Sequence, residues 1–118
     1  MTHNTGAELI DQAKARVKQM APADAISGRT DDTVYLDVRE PNEWNLGHVP
    51  GAIHIPRGML ESKVEELISR DKRVVIYCAS GNRSALAADT MQQMGYDDVC
   101  SMSAGFRGWA DSGGQVES

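Results

Sequence analysis

The stretch Arg73-Val74-Val75-Ile76-Tyr77-Cys78-Ala79-Ser80-Gly81-Asn82-Arg83-Ser84 decides the fold. Its apolar run, Val74 to Tyr77, shows no polar alternation, which is the pattern of a strand buried on both faces of a parallel sheet. A short loop of small and polar residues follows. From Ser84 to Met94 the residues Leu86, Ala87, Thr90, Met91 and Met94 then recur at helical spacing, and Gly95 stands where a helix closes in the left-handed conformation. A strand that feeds a helix through a tight loop is the repeating half of a parallel α/β sheet. Sheets of that kind place ligands at the carboxyl ends of their strands, which here is the loop beginning at Cys78.

The same alternation extends in both directions. Thr33 to Val38 is β-branched and aromatic and lies between Asp31-Asp32 and Pro41-Asn42, as a strand should. Glu40 to Leu46 fits a short helix with Pro41 in its first turn. Gly47 and Pro50-Gly51 break the chain before a brief strand, Ala52 to Ile55. Met59 to Ile68 reads as a helix burying Leu60, Val64, Leu67 and Ile68. Asp98 to Met102 is a last short strand. At the other end, Leu9, Ile10, Ala13, Val17 and Met20 predict a helix over 7–20. Val17 to Met20 reads equally as a short strand, because Ala21-Pro22-Ala23-Asp24 opens another short helix that ends at Gly28. The sum is an α/β domain with a mostly parallel sheet, and a mobile tail is expected from Gly113.

Composition narrows the function. A chain of 118 residues, 41% of them hydrophobic, supplies one core and one domain. A net charge of -5 argues against non-specific binding to nucleic acid or anionic lipid. The apolar runs are far short of the roughly 20 residues that cross a bilayer, so neither signal peptide nor membrane anchor is expected. Cys78 and Cys100 lie 22 positions apart, without CxxC spacing or a His cluster, so no metal site and no disulfide framework is expected. A reducing, cytoplasmic compartment suits so few cysteines, and no cofactor is called for.

The chemistry concentrates at Cys78. Small residues at Ala79, Ser80 and Gly81 let successive N–H groups turn inward as an anion-binding nest, and the helix behind adds its free N-terminal N–H groups. Arg83 brings a positive charge. Such surroundings favour a thiolate, hence a nucleophile, over the alternative of an inert cysteine at a strand end. Asp37 and Arg39 flank Val38 and so share a face at the strand end, where they can pair or buttress the loop. Arg57 is expected at the carboxyl edge of the sheet, where it either helps draw in an anion or stays solvated. His48 is read as structural, His3 and His54 as not ligating a metal, and Trp44 and Trp109 as closing the core. Cys100 reads as a structural cysteine rather than a resolving thiol.

Four motifs in order resemble the rhodanese-like domain family over nearly the whole chain. They are Leu36-Asp37-Val38-Arg39-Glu40 with Trp44, Gly47-His48-Val49-Pro50-Gly51-Ala52-Ile53-His54-Ile55-Pro56, the Cys78 loop, and Gly105-Phe106-x-x-Trp109 with Gly113-Gly114. The resemblance implies a three-layer domain over 17–118, with a five-stranded mostly parallel sheet flanked by helices and an added helical extension over 1–16. It also implies transfer of sulfane sulfur from a small anionic donor such as thiosulfate or a persulfide to cyanide, a thiol or a sulfur-relay protein. Cys78 would carry the persulfide, cradled by Ala79, Ser80, Gly81, Asn82, Arg83 and Ser84. Where many relatives carry two glycines, this chain has Ala104-Gly105.

Two other functions are open to such a chain. Phosphatases and arsenate reductases of related fold also use a cysteine and an arginine, but they place five residues between them, against four from Ala79 to Asn82 here. A non-catalytic binding module is the other, against which the thiol within its nest speaks.

Overall fold

A computed structural model describes residues 3–118. Five strands, β1 (Lys18–Met20), β2 (Thr33–Asp37), β3 (Ile53–His54), β4 (Arg73–Tyr77) and β5 (Val99–Met102), form one sheet in the order β1-β5-β4-β2-β3. Every pairing is parallel. The central strand β4 is covered on both faces, which is why its sequence carries no alternation. Successive side chains divide between those faces. Val74, Ile76 and Cys78 enter one core with Leu36, Val38, Leu60, Val64 and Met91. Val75 and Tyr77 enter the other with Tyr35, Cys100, Met102 and Trp109.

Among the described residues there are also six helices and a 3-10 turn (Arg57–Met59), four of the helices connecting strands and the other two standing before β1 and after β5. Helices α1 (Gly6–Arg16), α4 (Leu60–Leu67) and α5 (Asn82–Gln93) supply Ala13, Leu60, Val64, Ala87 and Met91 to the first core. Helices α2 (Pro22–Ser27) and α6 (Gly105–Asp111) supply Ala25 and Trp109 to the second. Helix α3 (Pro41–Leu46) buries none of its residues. The predicted helix over 7–20 stops at Arg16, and its last residues form β1, paired with β5 through Lys18 and Cys100. The extension is fastened to the domain. Thr5 and Glu8 make a reciprocal capping box at its start, and Arg16 holds Asp89 of α5 through two hydrogen bonds of 3.0 and 2.7 Å.

Several expectations are corrected. Leu67, read as inward, is 52% exposed, because α4 turns its last residue away from the sheet and Ile68 takes the buried place. Leu86, Thr90 and Met94 are only half-buried, whereas Ser84, Ala85 and Ala88 are buried. Small residues bring α5 close against β4 and β5. Trp44 does not close the core. It stacks flat on His48, with centroids 3.5 Å apart and planes 2° apart, and more loosely on His54. The final residues do not trail away: Trp109 Nε1 donates to Gln115 O at 2.7 Å, and Glu117 exchanges backbone hydrogen bonds with His48.

Candidate active site

Cys78 directly follows β4, and α5 begins four residues later. The residue at the helix N-cap is Gly81, at φ 107°, and it has no side chain to satisfy the first turn. The sulfur serves instead. Ser84 N–H, third in the helix, donates to Cys78 Sγ at 3.4 Å, and Gly81 N–H donates at 3.1 Å. Ser84 Oγ lies 3.5 Å from the same sulfur. The N–H groups of Asn82 and Arg83 make no hydrogen bond among the described residues, as the first turn of a helix requires.

Cys78 is 1% exposed. Burial by itself raises a thiol's pKa; here the Ser84 hydroxyl and the N–H groups of Ser84, Gly81 and Ser80 outweigh it and bring the thiol below its ordinary value. The thiolate is therefore favoured by neutral dipoles aimed at the sulfur. Arg83 is not a free cation at the mouth. Its guanidinium grips Glu43 of α3 with two hydrogen bonds of 2.8 and 3.1 Å, and this fork holds the Glu43 carboxyl down to about 2.

The loop rests on the start of α6. Phe106 N–H donates to Cys78 O at 2.8 Å, and a Cβ on Gly105, at φ 62°, would come within 2.6 Å of that oxygen. Asp37 and Arg39 do pair, in a buried fork with Nη2 2.7 Å from Oδ2. Arg39 also donates to Gly47 O at 2.7 Å and lies over the Phe106 ring, 4.4 Å from its centroid. It thus sits one residue away from the backbone that carries the loop, as a strut. Arg57 is committed elsewhere, at 3.1 Å to both Glu61 and Thr90 Oγ1, and makes no hydrogen bond to residues 78–84.

His48 Nδ1 lies 3.1 Å from Trp44 O and His54 Nε2 lies 2.8 Å from Arg39 O, so both imidazoles brace the turns around α3. Cys100 is buried on the opposite face of the sheet from Cys78, and burial pushes its thiol up. Two residues of the site were not legible as such. Glu43 lies 40 positions from the arginine that it neutralises. Ser101 is fully buried behind Ser84, with the two hydroxyl oxygens 2.8 Å apart.

Comparison with known proteins agrees with this geometry. The family described as "Rhodanese-like domain" matches residues 21–112. A Bacillus subtilis protein named "Putative sulfur carrier protein YrkF" is 43% identical over 74 residues, which cover 63% of this chain and 40% of that protein. A protein of Allochromatium vinosum named "Sulfurtransferase" is 37% identical over 84 residues, 71% of this chain and 78% of that one. Among solved structures, a Rhodopseudomonas palustris protein described as "Protein of Unknown Function RPA3614, Possible Tyrosine Phosphatase" superimposes with a TM-score of 0.87. It is 36% identical and is matched over 99% of this chain and 97% of its own. With its five-stranded parallel sheet, its cysteine at the end of the central strand and a match over most of its length, this chain belongs to the rhodanese-like domain family.

Proposed function

We propose that the protein is a sulfurtransferase that carries sulfane sulfur as a persulfide on Cys78. One observation carries this reading: a buried sulfur stands in the N-cap place of α5, while two further N–H groups, those of Asn82 and Arg83, stand unused beside it. The Cys78 thiolate attacks the outer sulfur of the donor, so that an Sγ–S bond forms and the bond to the donor's remaining group breaks. With thiosulfate, sulfite leaves with the electron pair. The persulfide is anionic, and its outer sulfur lies about 2 Å from Sγ, on this reading on the side of the first turn of α5. There it meets the free N–H groups of the first turn. An acceptor thiolate or cyanide then attacks that outer sulfur, and Cys78 leaves as the thiolate. No proton is consumed in either half, so no general base is needed.

The phosphatase reading fits less well. Phosphate esters are dianions that need a free cation, whereas Arg83 is committed to Glu43, and the four-residue spacing leaves a small ring of donors. The same neutralisation bears on the choice of sulfur donor. A site whose Arg83 is compensated by Glu43 gives a small dianion less electrostatic advantage, which favours persulfide donors and a sulfur-relay protein over thiosulfate. A steady-state comparison of thiosulfate with cysteine persulfide, with cyanide and a small thiol as acceptors, tests this. Turnover with the persulfide exceeding that with thiosulfate is expected; turnover with neither, or hydrolysis of an aryl phosphate at a comparable rate, would overturn the reading.

A further inference from the structure

We infer that Ser101 is a positioning residue of the sulfur site, whose hydroxyl donates to Ser84 Oγ and thereby aims the single proton of Ser84 at Cys78 Sγ. The inference rests on the reading of Cys78 as the reactive thiolate and adds to it a residue on a different strand. Ser101 lies on β5 opposite Ile76 of β4, on the face that also carries Cys78. It is completely buried, as is Ser84, and around them stand Ile76, Ala85, Ala88 and Val99 of the same core. A hydroxyl in such surroundings is costly unless it is hydrogen-bonded, and a strand position needing only volume would take valine or alanine. Among the described residues, Ser84 Oγ at 2.8 Å is the one partner of Ser101 Oγ. Ser84 Oγ in turn lies 3.5 Å from Cys78 Sγ.

Counting protons decides the direction. The three atoms Ser101 Oγ, Ser84 Oγ and Cys78 Sγ form a chain with two links. With a thiol there are three protons for two links, and one buried X–H is left without an acceptor. With a thiolate there are two protons for two links, and both are placed only when Ser101 donates to Ser84 and Ser84 to the sulfur. The count is the same in a persulfide, because Sγ again carries no proton. One fixed polarity of the serine pair therefore suits both forms that the sulfur takes during transfer. Fixed polarity also means that nothing has to reorient between the two steps.

The charged groups around this chain lie outside it. Arg83 and its partner Glu43 occupy the mouth, with Glu40 beside them. Asp37 and Arg39 are closed on one another under Phe106. None of them hydrogen-bonds to Ser84 or Ser101.

The test is the pH dependence of Cys78 alkylation by iodoacetamide, in a Cys100→Ala background so that one thiol reports. Ser101→Ala should move the midpoint upward by about 0.5 to 1 pH unit, that is, about three- to tenfold less thiolate well below the midpoint. In a Ser84→Ala background the same substitution should be silent, because its effect passes through Ser84. Ser101→Thr and Ser101→Val share a shape and differ in the hydroxyl. The threonine variant should keep the parent midpoint and the valine variant should shift it, which secures the comparison if the alanine variant folds poorly. An unshifted midpoint in Ser101→Ala and Ser101→Val, or an equal shift with and without Ser84, overturns the inference. Alkylation needs no sulfur donor, so a failure of sulfur transfer would leave this result standing and would count against the proposed function alone.

Discussion

Gly105→Ala is the substitution whose consequence is most directly set by the geometry. Gly105 sits at φ 62°, where a residue with a Cβ is disfavoured by about 1 to 2 kcal/mol. Its added carbon would stand 2.6 Å from Cys78 O and closer still to Ala79 O, both main-chain atoms of the reactive loop. An ordinary C···O approach is about 3.3 Å, so to clear Ala79 O, 2.4 Å away, the loop and the start of α6 must part by roughly 0.9 Å. That movement loosens the Phe106 N–H bond to Cys78 O, worth about 1 kcal/mol, for a total of roughly 2 to 3 kcal/mol. For a domain of this size the melting temperature should fall by about 10 to 15 °C. Because the displaced residues aim the donors at Sγ, turnover in the folded fraction should fall by about a hundredfold. Thermal unfolding together with single-turnover sulfur transfer from a persulfide donor measures both. Gly58→Ala is the control, since a Cβ there meets nothing within 4 Å and its φ is ordinary. Parent-like melting and turnover in Gly105→Ala would refute the reasoning. Ala104, at φ -102°, bears its Cβ without strain, which is why the first of the two customary glycines is dispensable.

Three further outcomes are expected. Glu43→Gln keeps a cap for Glu40 N–H but frees the charge of Arg83, so kcat/KM for thiosulfate should rise about two- to fivefold at low salt and lose that gain in high salt; no change would show that Arg83 does not face the donor. The Glu43 carboxyl is held at about 2 in the fold against 4.5 when unperturbed, so the pair's stabilisation is fully present above 4.5 and is lost as the pH falls through about 2; acid titration of parent and Glu43→Gln should diverge in that window. Cys100→Ala should leave turnover within about threefold of the parent, because Cys100 lies on the far face of the sheet from Cys78, and a loss of turnover without unfolding would give Cys100 a role in transfer.

How much of this was legible in the sequence depends on how far apart the cooperating residues lie. The apolar run of β4, the glycine after it and the spacing of α5 are local signals, and from them the parallel sheet and the position of Cys78 could be read. The Arg83–Glu43 fork could not, because it joins two elements 40 residues apart and turns an apparent free cation into a neutral pair. Ser101 looked like any serine in a short strand; only the register of β5 against β4 puts it behind Ser84. The size of Trp44 suits a core, yet α3 buries none of its residues and the ring stacks on two imidazoles instead. The tail from Gly113 has the composition of a loose end, but a single bridge to His48 and the Trp109 indole hold it down.

The most direct test of the central claim is intact-protein mass spectrometry of the chain after brief treatment with a persulfide donor or thiosulfate. A gain of one sulfur atom, absent in Cys78→Ser and removed by cyanide with release of thiocyanate, is the predicted result. A mass unchanged by every donor, or a gain that persists in Cys78→Ser, would contradict it.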